Sequence, residues 1–84
     1  MSLYQLQKML FHTLSDPRRR DEYRQSPERF AEGYELDAAE RTAVLCVDIR
    51  ALYRMGVDPL LLRPFTELNR VKAADHYAAL RGLE

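Results

Sequence analysis

The residues able to act on a substrate are few and scattered. The chain has two histidines, His12 and His76, and a single cysteine, Cys46. A metal centre needs several ligands brought together, and motifs such as His-Glu-x-x-His or Cys-x-x-Cys do this on one local element. Neither spacing occurs here, so no metal site and no catalytic group is read in this chain. Cys46 sits in the apolar run Ala43 to Val47 and reads as a buried, inert thiol. Reactive thiols need an electropositive, partly open setting. His12, beside Phe11, reads as a surface or interface histidine. His76, between Asp75 and Tyr77, reads as part of an exposed polar face or as half of a His-Tyr pair reaching into a partner. Asp48 stands in the middle of an apolar stretch, where a carboxylate must be paired or hydrogen-bonded. It either caps a neighbouring helix or pairs with an arginine such as Arg41. The triplet Arg18-Arg19-Arg20 is followed at once by Asp21 and Glu22, and reads as a solvated charged face.

These groups have to be held by helices, since the chain carries no strand signal. Leu3, Leu6, Leu10 and Leu14 recur at spacings of three and four, which predicts an amphipathic helix over 3–14. Asp16-Pro17 starts a short charged helix to about Gln25, with Asp16 as N-cap and Pro17 in the first turn. Ser26-Pro27 repeats the device for a third helix carrying Phe30, Ala31 and Tyr34, closed by a left-handed Gly33. Asp37 with Glu40 three residues on forms a capping box. One long central helix is expected from Ala38 to Met55, stopped by Gly56. Asp58-Pro59 then opens a fifth helix to about Leu68, broken or bent at Pro64. Its first leucines, Leu60, Leu61 and Leu62, cannot all face the same side. A last helix spans Val71 to Gly82. The expected fold is all-α: a compact orthogonal bundle of five to six short helices, no sheet, one domain over 1–84.

The chain is 84 residues long with a hydrophobic fraction of 46%, too apolar for a disordered segment. A core this small is marginally stable, and one cysteine excludes an internal disulfide. Docking on a partner is the common remedy. Thirteen basic residues balance thirteen acidic ones, and residues 30–58 are acidic, with three Lys/Arg against six Asp/Glu. That pattern argues against nucleic acid as a partner. No apolar run approaches the ~20 residues of a membrane span, and no secretory leader is read at the N-terminus. A cytoplasmic location is expected.

The block Tyr34 to Phe65 combines several of these features in a fixed order. It runs Leu36-Asp37-Ala38-Ala39-Glu40, Ala43-Val44-Leu45, Asp48, Leu52, Gly56-Val57 and Leu60-Leu61-Leu62. In this it resembles the small (alpha, LigA-type) subunit of the LigAB-type extradiol ring-cleavage dioxygenases. The resemblance covers roughly Leu3 to Phe65 and is strongest over Leu36 to Leu62. It implies an accessory, non-catalytic subunit with no cofactor of its own, packed on a large (beta, LigB-type) subunit. In the family the large subunit holds Fe(II) through two histidines and a glutamate, and cleaves catechol-type rings with dioxygen. The small subunit lies over the mouth of that active site as a lid.

Carried onto this chain, the lid is the stretch after the last strongly apolar helix, with Phe65, Leu68, Asn69, Arg70 and Val71 nearest the substrate. Leu60, Leu61, Leu62, His76 and Tyr77 are the expected partner interface. The alternative is a stand-alone helical adaptor of the same fold. It would bind a protein or peptide, or form a homodimer through Leu60 to Leu62.

Overall fold

Three Asp/Ser-Pro steps punctuate the chain, and each starts a helix. In each, the residue before proline is held out of the helical region and its side chain caps the backbone just beyond. The computed structural model describes residues 3–83. Helix α1 spans Leu3–Ser15, α2 Pro17–Gln25, α3 Pro27–Ala31, α4 Ala38–Leu45, α5 Ile49–Arg54, α6 Pro59–Leu68 and α7 Ala73–Ala79. No strand occurs among the described residues. Asp16 accepts from the Arg18 N–H at 3.0 Å, Ser26 from Arg29 at 3.3 Å, and Asp58 from Leu60 at 2.9 Å. The Asp37/Glu40 capping box is present in both directions, at 2.7 and 3.0 Å. It buries Glu40 while its carboxylate accepts the Asp37 N–H.

The all-α expectation holds, with seven described helices rather than five or six, because the expected central helix 38–55 is two helices. The chain breaks at Cys46-Val47-Asp48. The Asp48 N–H bonds back to Ala43 O at 2.9 Å and Val47 N–H to Val44 O at 3.3 Å. That six-to-one and five-to-two pair is a Schellman closure, and it requires its C′ residue, here Val47, to be left-handed at φ 50°. Asp48 then caps α5 by accepting from Ala51 N–H at 3.2 Å. Of its two expected fates, capping is the one realised. The break also overturns the expectation for Cys46: as C-cap of α4 it is turned outward, and its thiol is exposed.

The same closure recurs at Gly56, with Val57 N–H on Leu52 O at 3.1 Å, and at Arg70, with Val71 N–H on Thr66 O at 2.9 Å. Gly56 is at φ 102° and faces a Leu3 methyl, so glycine is required there. Gly33 is not left-handed. Instead α3 ends on a right-handed Glu32, and Gly33 N–H bonds Phe30 O at 3.1 Å. Helix α6 is unbroken across Pro64, and α7 is shorter than the expected 71–82.

The core is built from Leu6, Met9 and Leu10 of α1, Tyr23 of α2, Ala43 and Val44 of α4, Leu52 of α5, and Leu62 and Phe65 of α6. Leu62, Phe65 and Thr66 stand three and four apart, so one stripe of α6 is inward. Gln7 Oε1 accepts the Asp58 N–H at 2.7 Å and ties the start of α6 to α1.

Candidate functional site

Gln5, Lys8 and His12 share one face of α1 through their spacing of three and four. Arg19, Glu22 and Gln25 follow one another at spacings of three on α2. The cap-and-proline step at Asp16-Pro17 folds α2 back along α1 and sets these faces opposite each other. Arg29 and Phe30 of α3, with Ser26, Gly33 and Tyr34 beside it, complete a groove of about 590 Å³.

Three side chains meet inside it. His12 Nδ1 lies 2.5 Å from the Tyr34 hydroxyl and 2.6 Å from Arg19 Nη1. Arg19 Nη1 also donates to the Tyr34 oxygen at 3.3 Å. A guanidinium only donates, so Nδ1 must accept, and the imidazole proton sits on Nε2. A charged His12 would set an N–H against the guanidinium. Burial, with Arg19 and then Lys8 adding to it, pushes the His12 pKa below its ordinary value, while Asp16 opposes weakly. Burial also pushes the Tyr34 phenol up, against the pull of Arg19. The pair is therefore a neutral imidazole and a neutral phenol beside a fixed cation.

The arginine triplet splits into three roles. Arg18 is exposed. Arg19 enters the groove and holds Asp16 at 3.6 Å. Arg20 bonds the last carbonyls of α1, Thr13 O at 2.9 Å and Leu14 O at 2.8 Å. No continuous basic patch results. An aromatic row joins the groove to the core: Phe65 to Tyr23 at 5.6 Å, Tyr23 to Phe30 at 6.0 Å, Phe30 to Tyr34 at 5.4 Å and Tyr34 to His12 at 5.7 Å between ring centroids. Sequence reasoning missed this cluster. Its members lie on three separate elements, and only the capped Asp16-Pro17 and Ser26-Pro27 turns hinted that those elements fold back on one another.

Among the described residues no three His, Cys, Asp or Glu side chains converge on a point that could hold a metal ion. No described helix is long and apolar enough to cross a membrane. The family model for the aromatic-ring-opening dioxygenase LigAB, LigA subunit, matches residues 6–84. The chain belongs to the LigA family. No curated protein and no solved structure matches it.

The LigA match covers the signature block and every groove-lining residue but Gln5. The structure separates the expected lid and interface residues into two groups. Phe65 is fully buried in the chain's own core and Leu62 is 1% exposed, so neither is available to a substrate or a partner as the fold stands. His76 is also inward, at 3% exposed. Its Nδ1 lies 3.0 Å from Thr66 Oγ1, a hydroxyl that donates to Arg63 O at 2.9 Å and accepts from Arg63 Nη1 at 3.0 Å. With its one proton spent on Arg63 O, that hydroxyl takes an N–H from His76. Burial and then Arg63 push the His76 pKa down, with Glu67 opposing. Asn69 is occupied internally, accepting from the Tyr23 hydroxyl and donating to Phe65 O, both at 2.9 Å. Leu68 and Val71 are half-buried against the core, as is Leu61. Arg70, Leu60 at 81% exposed and Tyr77 at 61% exposed face outward.

Proposed function

We propose that this LigA-family chain is a non-catalytic accessory subunit that packs on a large LigB-type subunit and covers its active-site mouth. The observation that carries the proposal is the match to the LigA subunit over residues 6–84. The exposed apolar side chains fit a docked role. Tyr4 and Phe11 stand two turns apart on one side of α1, and Leu60 and Tyr77 project from α6 and α7. In this reading the ring-opening chemistry, extradiol cleavage of a catechol-type aromatic with dioxygen, belongs to the large subunit. That subunit would supply Fe(II) and its ligands. Among the described residues of this chain no donor set converges that could hold it.

The contribution of this chain is physical. A lid keeps water from the reacting centre and completes the pocket wall. Within the lid stretch, Arg70 is the group turned outward, held on the closing turn of α6. The exposed ends of the interface set, Leu60 and Tyr77, take the partner contacts first assigned to the whole group.

Co-expression with a LigB-type large subunit tests this directly. A stable complex that consumes dioxygen with a catechol-type substrate is expected, and Leu60→Ser with Tyr77→Ser should weaken it. Failure to co-purify with any such subunit, with ring cleavage unaffected by adding this chain, would reject the reading.

A further inference from the structure

We propose that the groove between α1, α2 and α3 binds a small aromatic carboxylate, its carboxylate on Arg19 and its ring against Phe30 and Tyr34. The first argument is charge. Lys8, Arg19 and Arg29 line the groove against the single acid Glu22. That local positive excess arises in a chain whose formal charge is zero. His12 and Tyr34 touch Arg19 without neutralising it; Asp16 at 3.6 Å offsets part of its charge, and Lys8 and Arg29 keep the groove in positive excess over Glu22.

The second argument is geometry. Arg19 spends Nη1 on His12 and Tyr34 and Nε on Asp16, and among the described residues Nη2 carries no bond. The His12 and Tyr34 contacts fix the plane of the guanidinium and leave Nη2 as the nitrogen that meets one carboxylate oxygen in a charge-assisted hydrogen bond. A more highly charged anion is less favoured, since Asp16 pairs with the same guanidinium and Glu22 lines the groove.

The third argument is the wall. The apolar part of the lining is aromatic: Phe30 and Tyr34, 5.4 Å apart at an interplanar angle of 57°. Tilted rings at this spacing favour another ring beside them over a short aliphatic chain. The volume of about 590 Å³ lies within the range of small-molecule sites. Gln5, Gln25 and Ser26 add neutral hydrogen-bonding groups around the rim.

The proposal stands independently of any large subunit, so its test uses this chain alone. Benzoate is titrated into the full chain, read by amide chemical shifts in two-dimensional NMR. Benzamide (the ring without the charge) and acetate (the charge without the ring) are titrated in parallel. Saturable shifts centred on Lys8, His12, Arg19 and Tyr34 are expected, with benzamide and acetate at least about tenfold weaker, as expected when a charge-assisted pair or a ring contact is lost. Arg19→Met should lower benzoate affinity by about tenfold or more, with Arg19→Lys intermediate because charge remains while the Nη2–H held in place by His12 and Tyr34 is lost. Equal binding of benzamide, non-saturable shifts, or unchanged affinity in Arg19→Met would each overturn the proposal. The comparison of three ligands on the unmodified chain decides it even if Arg19→Met does not fold.

Discussion

Replacing Arg70 by glycine should make the protein more stable, although it removes a charged side chain. Arg70 sits at φ 64°, forced there by the closing turn of α6. A non-glycine residue in that region costs about 1–2 kcal/mol. Glycine returns about 0.5–1 kcal/mol of this through its greater freedom in the unfolded chain. The guanidinium also sits at the carbonyl end of α6, where a cation at an exposed site contributes about 0.3 kcal/mol. The net expectation for Arg70→Gly is a gain of about 0.5 kcal/mol, or roughly 2–4 °C in Tm for a chain of this size. Arg70→Ala isolates the backbone term. It loses the same charge but keeps a Cβ in the left-handed turn, so it should fall below the parent. Glycine should exceed alanine by about 1 kcal/mol, roughly 4–8 °C. Thermal unfolding followed by helical circular dichroism, with urea midpoints as a second measure, reads both variants. If alanine matches or exceeds glycine, backbone strain at this turn is not what the φ value implies. Val47 provides an internal contrast. It is equally left-handed, at φ 50°, but its side chain is half-buried against the core, so glycine there gives up packing as well as strain.

Asp48→Ala removes the cap that accepts the Ala51 N–H and should cost about 1 kcal/mol, roughly 4–8 °C in Tm, while Asp48→Asn stays close to the parent; equal melting of all three would deny the cap its role. His12 and His76 both have pKa values lowered by burial, so the unfolded chain binds more protons than the folded one once pH drops toward the ordinary imidazole value of about 6.5. Stability is then fully present above that value and is lost as pH falls through the lowered folded values. Urea midpoints should decline from about pH 7.5 to about pH 5.5, and less steeply in His76→Asn; a flat or rising midpoint would contradict the sign. Cys46 is exposed, so a thiol-specific disulfide reagent should label the folded chain at nearly its rate for the urea-unfolded chain; protection released only on unfolding would place the thiol inside.

Much of the fold was legible because its punctuation is local. Asp16-Pro17, Ser26-Pro27 and Asp58-Pro59 each specify a helix start within a few residues, and Asp37 with Glu40 specifies a fourth. The missed break in the central stretch has the opposite character. Nothing at Cys46-Val47 is a conventional stop, since a β-branched residue disfavours the left-handed region that the closure needs. The signal was Asp48, an N-cap residue type inside an apolar run: capping was one of its two expected fates, but for a neighbouring helix and not as the start of a new one within 38–55. His76 failed as an exposed-face residue for a related reason. Neighbouring Asp75 and Tyr77 describe the other faces of a helix, while the partner that buries His76, Thr66, lies on α6. The groove was illegible because no local pattern marks it. His12, Arg19 and Tyr34 each have an ordinary explanation alone, and only the folding of α1, α2 and the α3 end on one another gives them a shared one.

The two halves of the chain divide their work along that line. The signature block from Leu36 to Leu62 supplies caps, closures and inward leucines, and it places Leu60 and Arg70 on the surface. The first thirty-four residues supply the charged groove. The aromatic row couples them, since Tyr23 touches both Phe65 of the core and Phe30 of the groove wall. Asn69, which accepts from Tyr23, is the C-cap of α6 and immediately precedes the strained Arg70. Tyr23 thus packs against a wall residue of the groove and also donates to the C-cap of α6. Phe30 of the groove wall and the outward-facing Arg70 are therefore linked through Tyr23 and Asn69, by one ring contact, one hydrogen bond and one peptide step.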